Sequence, residues 1–134
     1  MASAKPETLE VAHLAFQYFS QGLATGNWEP FLATLTEDFT FWFPVGLYKG
    51  VNTGKDRAAA FFQYVSEAFS EGLTVTVERV TSNDTTVVFE IHSQGSLRGK
   101  SYSNKAAVSL DVRGNQICAY REYLSIIVQP SSAE

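Results

Sequence analysis

The sequence is poor in the residues that hold metals and disulfide bonds. It contains one cysteine, Cys118, and two histidines, His13 and His92. A single thiol cannot form an internal disulfide bond, and no cysteine–histidine cluster is available for structural zinc. We therefore expect a chain that works with neither a metal nor another cofactor.

Basic clusters and long apolar runs are also missing. Ten Lys and Arg residues face fourteen Asp and Glu residues, which gives a net charge of -4 and no basic surface for a nucleic-acid backbone. No apolar run approaches the length of a membrane span, and the first residues lack the apolar core of a signal peptide. We expect a cytoplasmic protein with neither nucleic acid nor a membrane as its partner.

Apolar and aromatic residues are what the chain has in plenty. Hydrophobic residues make up 45% and charged residues 18% of the 134 residues, as in a folded domain. Aromatic residues reach 13%, with ten Phe, six Tyr and two Trp. Such a surplus indicates either a core filled with rings or a cavity lined by them.

The order of elements predicts an α+β fold. Apolar spacing of 3.6 residues predicts helices, and alternation between tight turns predicts strands. Phe61, Phe62, Val65 and Phe69 share one side of the third helix. The predicted helices cover residues 6–25, 28–35 and 54–70, and the predicted strands cover 39–43, 73–81, 85–94, 101–112 and 116–128, with a glycine-dotted loop after residue 43.

Three stretches in this order resemble a known family. They are Asn27-Trp28 to Asp38, the loop Pro44-x-Gly46…Tyr48-x-Gly50, and the ending Gln116-Ile117…Arg121-Glu122-Tyr123. The sequence is similar to SnoaL-like domains of the nuclear transport factor 2-like superfamily, which includes ketosteroid isomerase. The likeness covers about residues 7–128.

The resemblance implies one domain over residues 1–134, with an ordered core at about 6–128. It implies a cone-shaped, strongly curved mixed β-sheet wrapped around a long N-terminal helix, with two further helices. The open end of such a cone admits a small apolar molecule, and family members commonly form homodimers through the outer face of the sheet.

The chemistry of ketosteroid isomerase does not carry over. That enzyme needs a carboxylate base, a tyrosine and a protonated aspartic acid. The matching positions here fall on Phe19, Phe43 and Ala107, whose side chains neither donate nor accept protons.

Two other chemistries of the family also lack their residues. A dehydratase would need histidines with carboxylates, and only His13, one turn before Phe16, could reach the cavity mouth, since His92 points outward. An epoxide hydrolase would need an Asp-Arg-Asp set, for which Asp38, Asp111, Arg121 and Glu122 are the candidates. We find no such set in the pattern.

Glu122 is the one candidate catalytic residue. It shares a strand face with Tyr120 and Leu124, and the family register turns that face into the cone. Desolvation there would raise its pKa towards neutrality, which suits an acid or base. The alternative is that Glu122 pairs with Arg121 or Lys105 at the sheet surface, or forms hydrogen bonds that hold the strands together.

The remaining candidates are ligand-binding residues on the cavity wall. Asn104 could bond a ligand carbonyl or its own backbone, and Tyr48 and Tyr102 could be polar groups of the wall or packing residues. The full candidate set is Phe16, Phe19, Phe41, Phe43, Tyr48, Phe62, Phe89, Tyr102, Asn104, Tyr120 and Leu124.

Two functions stay open. The first is a domain that binds a small apolar or aromatic molecule, with metal-independent isomerase, cyclase or dehydratase chemistry at Glu122. The second is a non-catalytic homodimeric binding or assembly module.

Overall fold

A computed structural model describes residues 5–125 of the chain. Within this range the chain forms three α-helices and one sheet of six strands. Two of the helices precede the first strand, and the third lies between the second and third strands along the chain. The helices are α1 (Pro6–Thr25), α2 (Glu29–Leu32) and α3 (Lys55–Ala68). The strands are β1 (Leu35–Phe43), β2 (Gly50–Thr53), β3 (Leu73–Ser82), β4 (Thr86–Leu97), β5 (Lys100–Arg113) and β6 (Gln116–Leu124).

Helix α1 has the predicted bounds. Pro6 occupies its first turn, where the missing N–H costs nothing. Gly26 ends it with a left-handed φ of 83°, and its N–H donates to the Gly22 carbonyl at 2.8 Å. The buried face of the helix carries Ala12, Phe16 and Phe19 towards the sheet.

The sheet is mixed and strongly curved. Its strand order is β2-β1-β6-β5-β4-β3. Strand β1 pairs with β6 in parallel, and each of the other neighbouring pairs is antiparallel. Irregular registers interrupt three of these pairs and help the sheet to bend around α1. The predicted α+β cone with a long N-terminal helix is confirmed.

The region between α1 and α3 differs from its prediction. The second helix spans only Glu29–Leu32, and strand β1 begins at Leu35 instead of residue 39. Leu35 is buried opposite Ile117, and its carbonyl accepts a bond from the Gln116 side chain at 3.2 Å. Pairing with β6 thus overrides a helical pattern that the local sequence alone allows.

Strand β2 was predicted as part of a loop. Its four residues pair with Thr40–Phe43 of β1, beginning at Gly50 with a φ of 90°. Asn52 anchors it, because its side-chain amide donates to the Tyr48 carbonyl at 2.8 Å. The signal is weak in the sequence because glycine and asparagine are rare in strands.

The turn between β4 and β5 is tighter than the loose turn predicted at residues 95–99. The strands pair as far as Leu97 and Lys100, so only Arg98 and Gly99 remain between them. Strand β6 ends at Leu124, and the last part of the predicted strand, residues 126–128, lies outside the described residues.

Aromatic rings fill one end of the cone. Phe16 stacks on Phe89 with centroids 4.2 Å apart, and Phe41 stacks on Phe61 at 4.8 Å. Trp28 closes the cluster and donates its indole N–H to the Ser66 hydroxyl at 2.6 Å. Free space lies beside this packing, along α3 from Phe61 to its C-terminal end.

Candidate functional site

A cavity of about 370 Å³ lies between α1, α3 and the inner face of the sheet. Its size falls in the range of small-molecule sites. Most of its wall is apolar, and it is partly open to solvent. The lining residues are Phe19, Leu23, Phe43, Phe61, Phe62, Tyr64, Val65, Ala68, Phe69, Leu73, Ile91, Ser93, Leu97, Arg98, Tyr102, Asn104, Ala106, Tyr120, Glu122 and Leu124.

Strand β6 carries a carboxyl group into this apolar space. Alternation along the strand places Tyr120, Glu122 and Leu124 on the cavity side. Glu122 lies opposite Val108, a fully buried residue of β5. The Tyr120 hydroxyl donates a hydrogen bond to Glu122 Oε1. Among the side chains described, Tyr120 is the hydrogen-bond partner of this carboxyl group.

The environment of Glu122 favours its protonated form. Burial raises the pKa of Glu122 from 4.5 to about 7, although the hydrogen bond from Tyr120 lowers it. The cavity leaves part of the side chain accessible, but the surrounding wall is too apolar to solvate a charge well. Burial, with the nearby Glu122 charge, also holds the pKa of Tyr120 well above its usual value. Glu122 can therefore gain or lose a proton near neutral pH while Tyr120 stays protonated.

The amide of Asn104 is used locally. Its Nδ2 donates to the Tyr102 hydroxyl at 3.1 Å, and its Oδ1 accepts from the Lys105 N–H at 2.8 Å. The Ser125 hydroxyl also donates to this oxygen. The Asn104 side chain thus forms hydrogen bonds with neighbouring residues of the sheet, and its role towards a ligand stays a prediction. Burial, and to a smaller extent the Glu122 charge, raises the pKa of Tyr102.

The structure brings together eight of the twelve candidate residues. Glu122 and seven of the eleven ligand-binding candidates lie on the cavity wall, namely Phe19, Phe43, Phe62, Tyr102, Asn104, Tyr120 and Leu124.

The other four candidates lie in the packed core instead of on the wall. Phe16 and Phe89 stack on each other, and Phe41 stacks on Phe61. Tyr48 is covered by the Arg57 guanidinium, which lies 4.6 Å from the ring centre. All four of these candidate rings are buried, and none of them lines the cavity.

Several wall residues were not among the candidates. Phe61 and Val65 come from α3 and Phe69 directly follows its last residue, and their position on one side of the predicted helix was visible in the sequence. Leu97 is the last residue of β4 and Arg98 lies in the turn that follows it, and no sequence pattern indicated that they would line the cavity.

The positions compared with ketosteroid isomerase remain apolar. Phe19 and Phe43 both line the cavity. The third position needs a correction of one residue, because Ala106 faces the cavity whereas Ala107 lies on the outer face beside Glu90 and Tyr123.

The histidines do not take part in the site. His13 is exposed and packs its ring edge-on against Phe89 at 5.3 Å, so the expected approach to the cavity mouth is wrong. His92 points outward, and its Nε2 lies 2.8 Å from the Ser103 hydroxyl.

The outer face of the sheet holds the other candidate charges. Arg121 makes a two-bond pair with Asp111, at 2.8 and 3.0 Å. Burial opposes ionisation of Asp111, but the hydrogen bonds from Arg121 and Thr86 prevail and lower its pKa. Lys105 pairs with Glu78 at 3.3 Å. Neither cation is thus paired with Glu122, which excludes the surface-pair alternative.

Residues 5–125 form neither a cluster of metal ligands nor a membrane-spanning helix. No three or more His, Cys, Asp or Glu side chains in that range are grouped to hold a metal ion. No helix in the same range is both long and apolar enough to cross a bilayer.

Comparison with known proteins identifies the family. Residues 16–120 match the SnoaL-like domain, and the chain belongs to this family. A nuclear transport factor 2-like protein from Anabaena variabilis is 57% identical, with 90% of this chain and 91% of that one covered and a TM-score of 0.88.

More distant structures share the fold alone. A proposed SnoaL-like polyketide cyclase from Jannaschia sp. is 21% identical over 90% of this chain and 88% of that one, with a TM-score of 0.77. An LEH-like epoxide hydrolase from M. tuberculosis is 18% identical over 90% of this chain and 86% of that one, with a TM-score of 0.70. None of the curated proteins matches this chain at a significant level.

Proposed function

We propose that this chain binds a small, mostly apolar carbonyl compound in its cavity, and that Glu122 transfers a proton to or from it. The observation that carries the proposal is a carboxyl group with a pKa of about 7, bonded to Tyr120 on an otherwise apolar wall. An acid or base works best when its pKa lies near the working pH.

The surroundings favour isomerisation, aldol-type cyclisation or dehydration. Each of these needs a proton moved at or next to a carbonyl group, and none requires a metal. Tyr120 positions the carboxylate and keeps its own proton. Once Glu122 has taken a proton from the ligand, the single O–H of Tyr120 is free to donate to the developing oxyanion. The Jannaschia relative, named as a polyketide cyclase, supports this reaction class.

Epoxide hydrolysis has less support. The Asp111–Arg121 pair, which could contribute to an Asp-Arg-Asp set, lies on the outer face of the sheet, away from the cavity. Glu122 has no arginine partner among the described residues. We therefore do not extend the activity named for the M. tuberculosis relative to this chain.

The test is a screen of small aromatic and aliphatic carbonyl compounds against the wild type and Glu122→Gln. Glutamine keeps the shape but cannot exchange the proton, so binding should persist while turnover falls about 10²-fold or more. Glu10→Gln, on the exposed face of α1, is the matched control and should change neither. Full turnover by Glu122→Gln on a substrate found in the screen would refute the acid–base role.

A second candidate function, a homodimeric module, rests on the outer sheet face. Trp42 and Tyr123 pack there with ring centres 5.1 Å apart, yet Tyr123 remains 50% exposed and Val51 73% exposed. Covering these groups with a second copy would remove apolar surface from water. A mass equal to one chain, measured by light scattering at micromolar concentrations, would rule this candidate out.

A further inference from the structure

The cavity wall includes two residues with ionisable side chains of opposite type, the acidic Glu122 and the basic Arg98. Glu122 lies within β6, opposite Val108 of β5. Arg98 lies in the turn that joins β4 to β5, beyond the last strand pair Leu97–Lys100. The carboxyl group therefore belongs to the sheet inside the cone, and the guanidinium to its rim.

Arg98 holds an unusual backbone conformation. It is the one non-glycine residue with positive φ among residues 5–125, at 51°, and Gly99 follows with 84°. A two-residue hairpin turn of this kind favours asparagine, aspartate or glycine at its first position. Arginine is disfavoured there because its Cβ crowds the backbone. When a residue beside a cavity is held in such a conformation, a functional role for its side chain is indicated.

The turn is fixed against the end of α3. The Arg98 N–H donates to the Ala68 carbonyl at 3.2 Å, and both residues line the cavity. Phe69 and Tyr102, whose ring centres are 4.9 Å apart, continue the wall beside them. The rim that carries Arg98 is thus anchored to the helix that forms the opposite wall.

The guanidinium of Arg98 is free to bind an anion. Residue 98 is exposed, and within the described part of the chain its side chain makes no ion pair and no side-chain hydrogen bond. Lys100, two residues on, is exposed as well. This rim is a local positive site on a chain whose net charge is -4.

From this arrangement we infer that the ligand is an amphipathic organic acid, whose carboxylate is held by Arg98 at the rim while its apolar body occupies the cavity. An arginine fork matches a carboxylate in shape and charge. The opposite orientation is unfavourable, because an anion inside would meet an apolar wall and the Glu122 carboxyl group. The inference rests on the proposed function and specifies its ligand class.

The probes are aryl and alkyl carboxylic acids of graded size, each compared with its neutral primary amide by calorimetric titration. The wild type should bind the best-fitting acid about five- to tenfold more tightly than its amide, as expected for one partly exposed charged contact. Raising the salt concentration to about 0.5 M should weaken binding of the acid and not of the amide.

Arg98→Asn is the informative variant. Asparagine suits the turn, so the thermal unfolding midpoint should not fall. The preference for the acid should disappear, with binding of the amide unchanged, and Arg98→Lys should restore part of it. Arg79→Asn, at an exposed position on β3, is the matched control and should keep the full preference.

The outcomes separate this inference from the proposed function. Equal binding of acid and amide by the wild type, or an equal loss of both in Arg98→Asn, would overturn the role of Arg98 and leave the cavity as a binding site. Binding of no member of either series would overturn the ligand site itself, and the inference with it.

Discussion

Replacing Glu122 by glutamine should change how the stability of the protein depends on pH. Below pH 4.5 the carboxyl group is protonated in the folded and the unfolded chain alike. Between pH 4.5 and about 7 the unfolded chain loses this proton and the folded chain keeps it. The folded state then binds more protons, so the wild type loses stability as the pH rises through this interval.

The magnitude follows from the width of the interval. An interval from pH 4.5 to about 7 corresponds to about 3 kcal/mol at about 1.4 kcal/mol for each pH unit. The cavity admits some solvent, so we expect about 2 kcal/mol of this to be measured. Glu122→Gln does not titrate and should escape this loss.

Urea unfolding of both proteins from pH 4 to pH 9 measures the effect. The free energy of unfolding of Glu122→Gln, minus that of the wild type, should rise by about 2 kcal/mol across the interval and then level off. Ionisable groups that do not interact with Glu122 cancel in this difference. A flat line for Glu122→Gln would refute the claim that this carboxyl group is desolvated.

Three further predictions concern the site and the core around it. Tyr120→Phe removes the hydrogen bond that lowers the pKa of Glu122. When the stability of Tyr120→Phe is compared with that of the double mutant Tyr120→Phe/Glu122→Gln, the midpoint of the difference should therefore move to higher pH. An unchanged midpoint would show that this hydrogen bond does not lower the pKa. Gly22→Ala places a Cβ 2.4 Å from the Trp28 ring, so urea unfolding should show a loss of about 1–3 kcal/mol although alanine favours helices; a gain in stability would show that the ring moves aside. Phe62→Ala removes a ring that contacts six others, and the same assay should show a loss of about 3–5 kcal/mol; a loss below about 1 kcal/mol would mean that the core collapses around the gap.

Local patterns were enough to predict the long elements. Helix α1 was found from end to end because a proline, a helical apolar stripe and a terminal glycine all agree. The four strands from β3 to β6 followed from alternation between turns. Strand β2 was not predicted, because its pairing with β1 makes it a strand and its own residue types do not.

The distribution of the phenylalanines could not be predicted in the same way. Phe41 and Phe43 both lie on β1, but the first packs in the core and the second lines the cavity. Phe89 was expected on the wall and instead stacks on Phe16. Alternation tells which face of a strand a ring occupies, but the depth along the cone depends on how far the sheet bends. One register shift that contributes to this bend lies between β1 and β6, which are distant in sequence.

The position of Glu122 depends on how the sheet divides its charges between two faces. Arg121 is next to Glu122 in the sequence and could neutralise its charge. Alternation along β6 turns Arg121 to the outer face, however, where its guanidinium lies 2.8 Å from the carboxylate of Asp111 on the adjacent strand. Glu122 is then left inside with a tyrosine as its partner. A neutral donor lowers the pKa of a carboxyl group less than a cation would, so the effect of burial prevails and the pKa rises. The same alternation that stabilises the outer face thus leaves one unpaired acid facing the cavity.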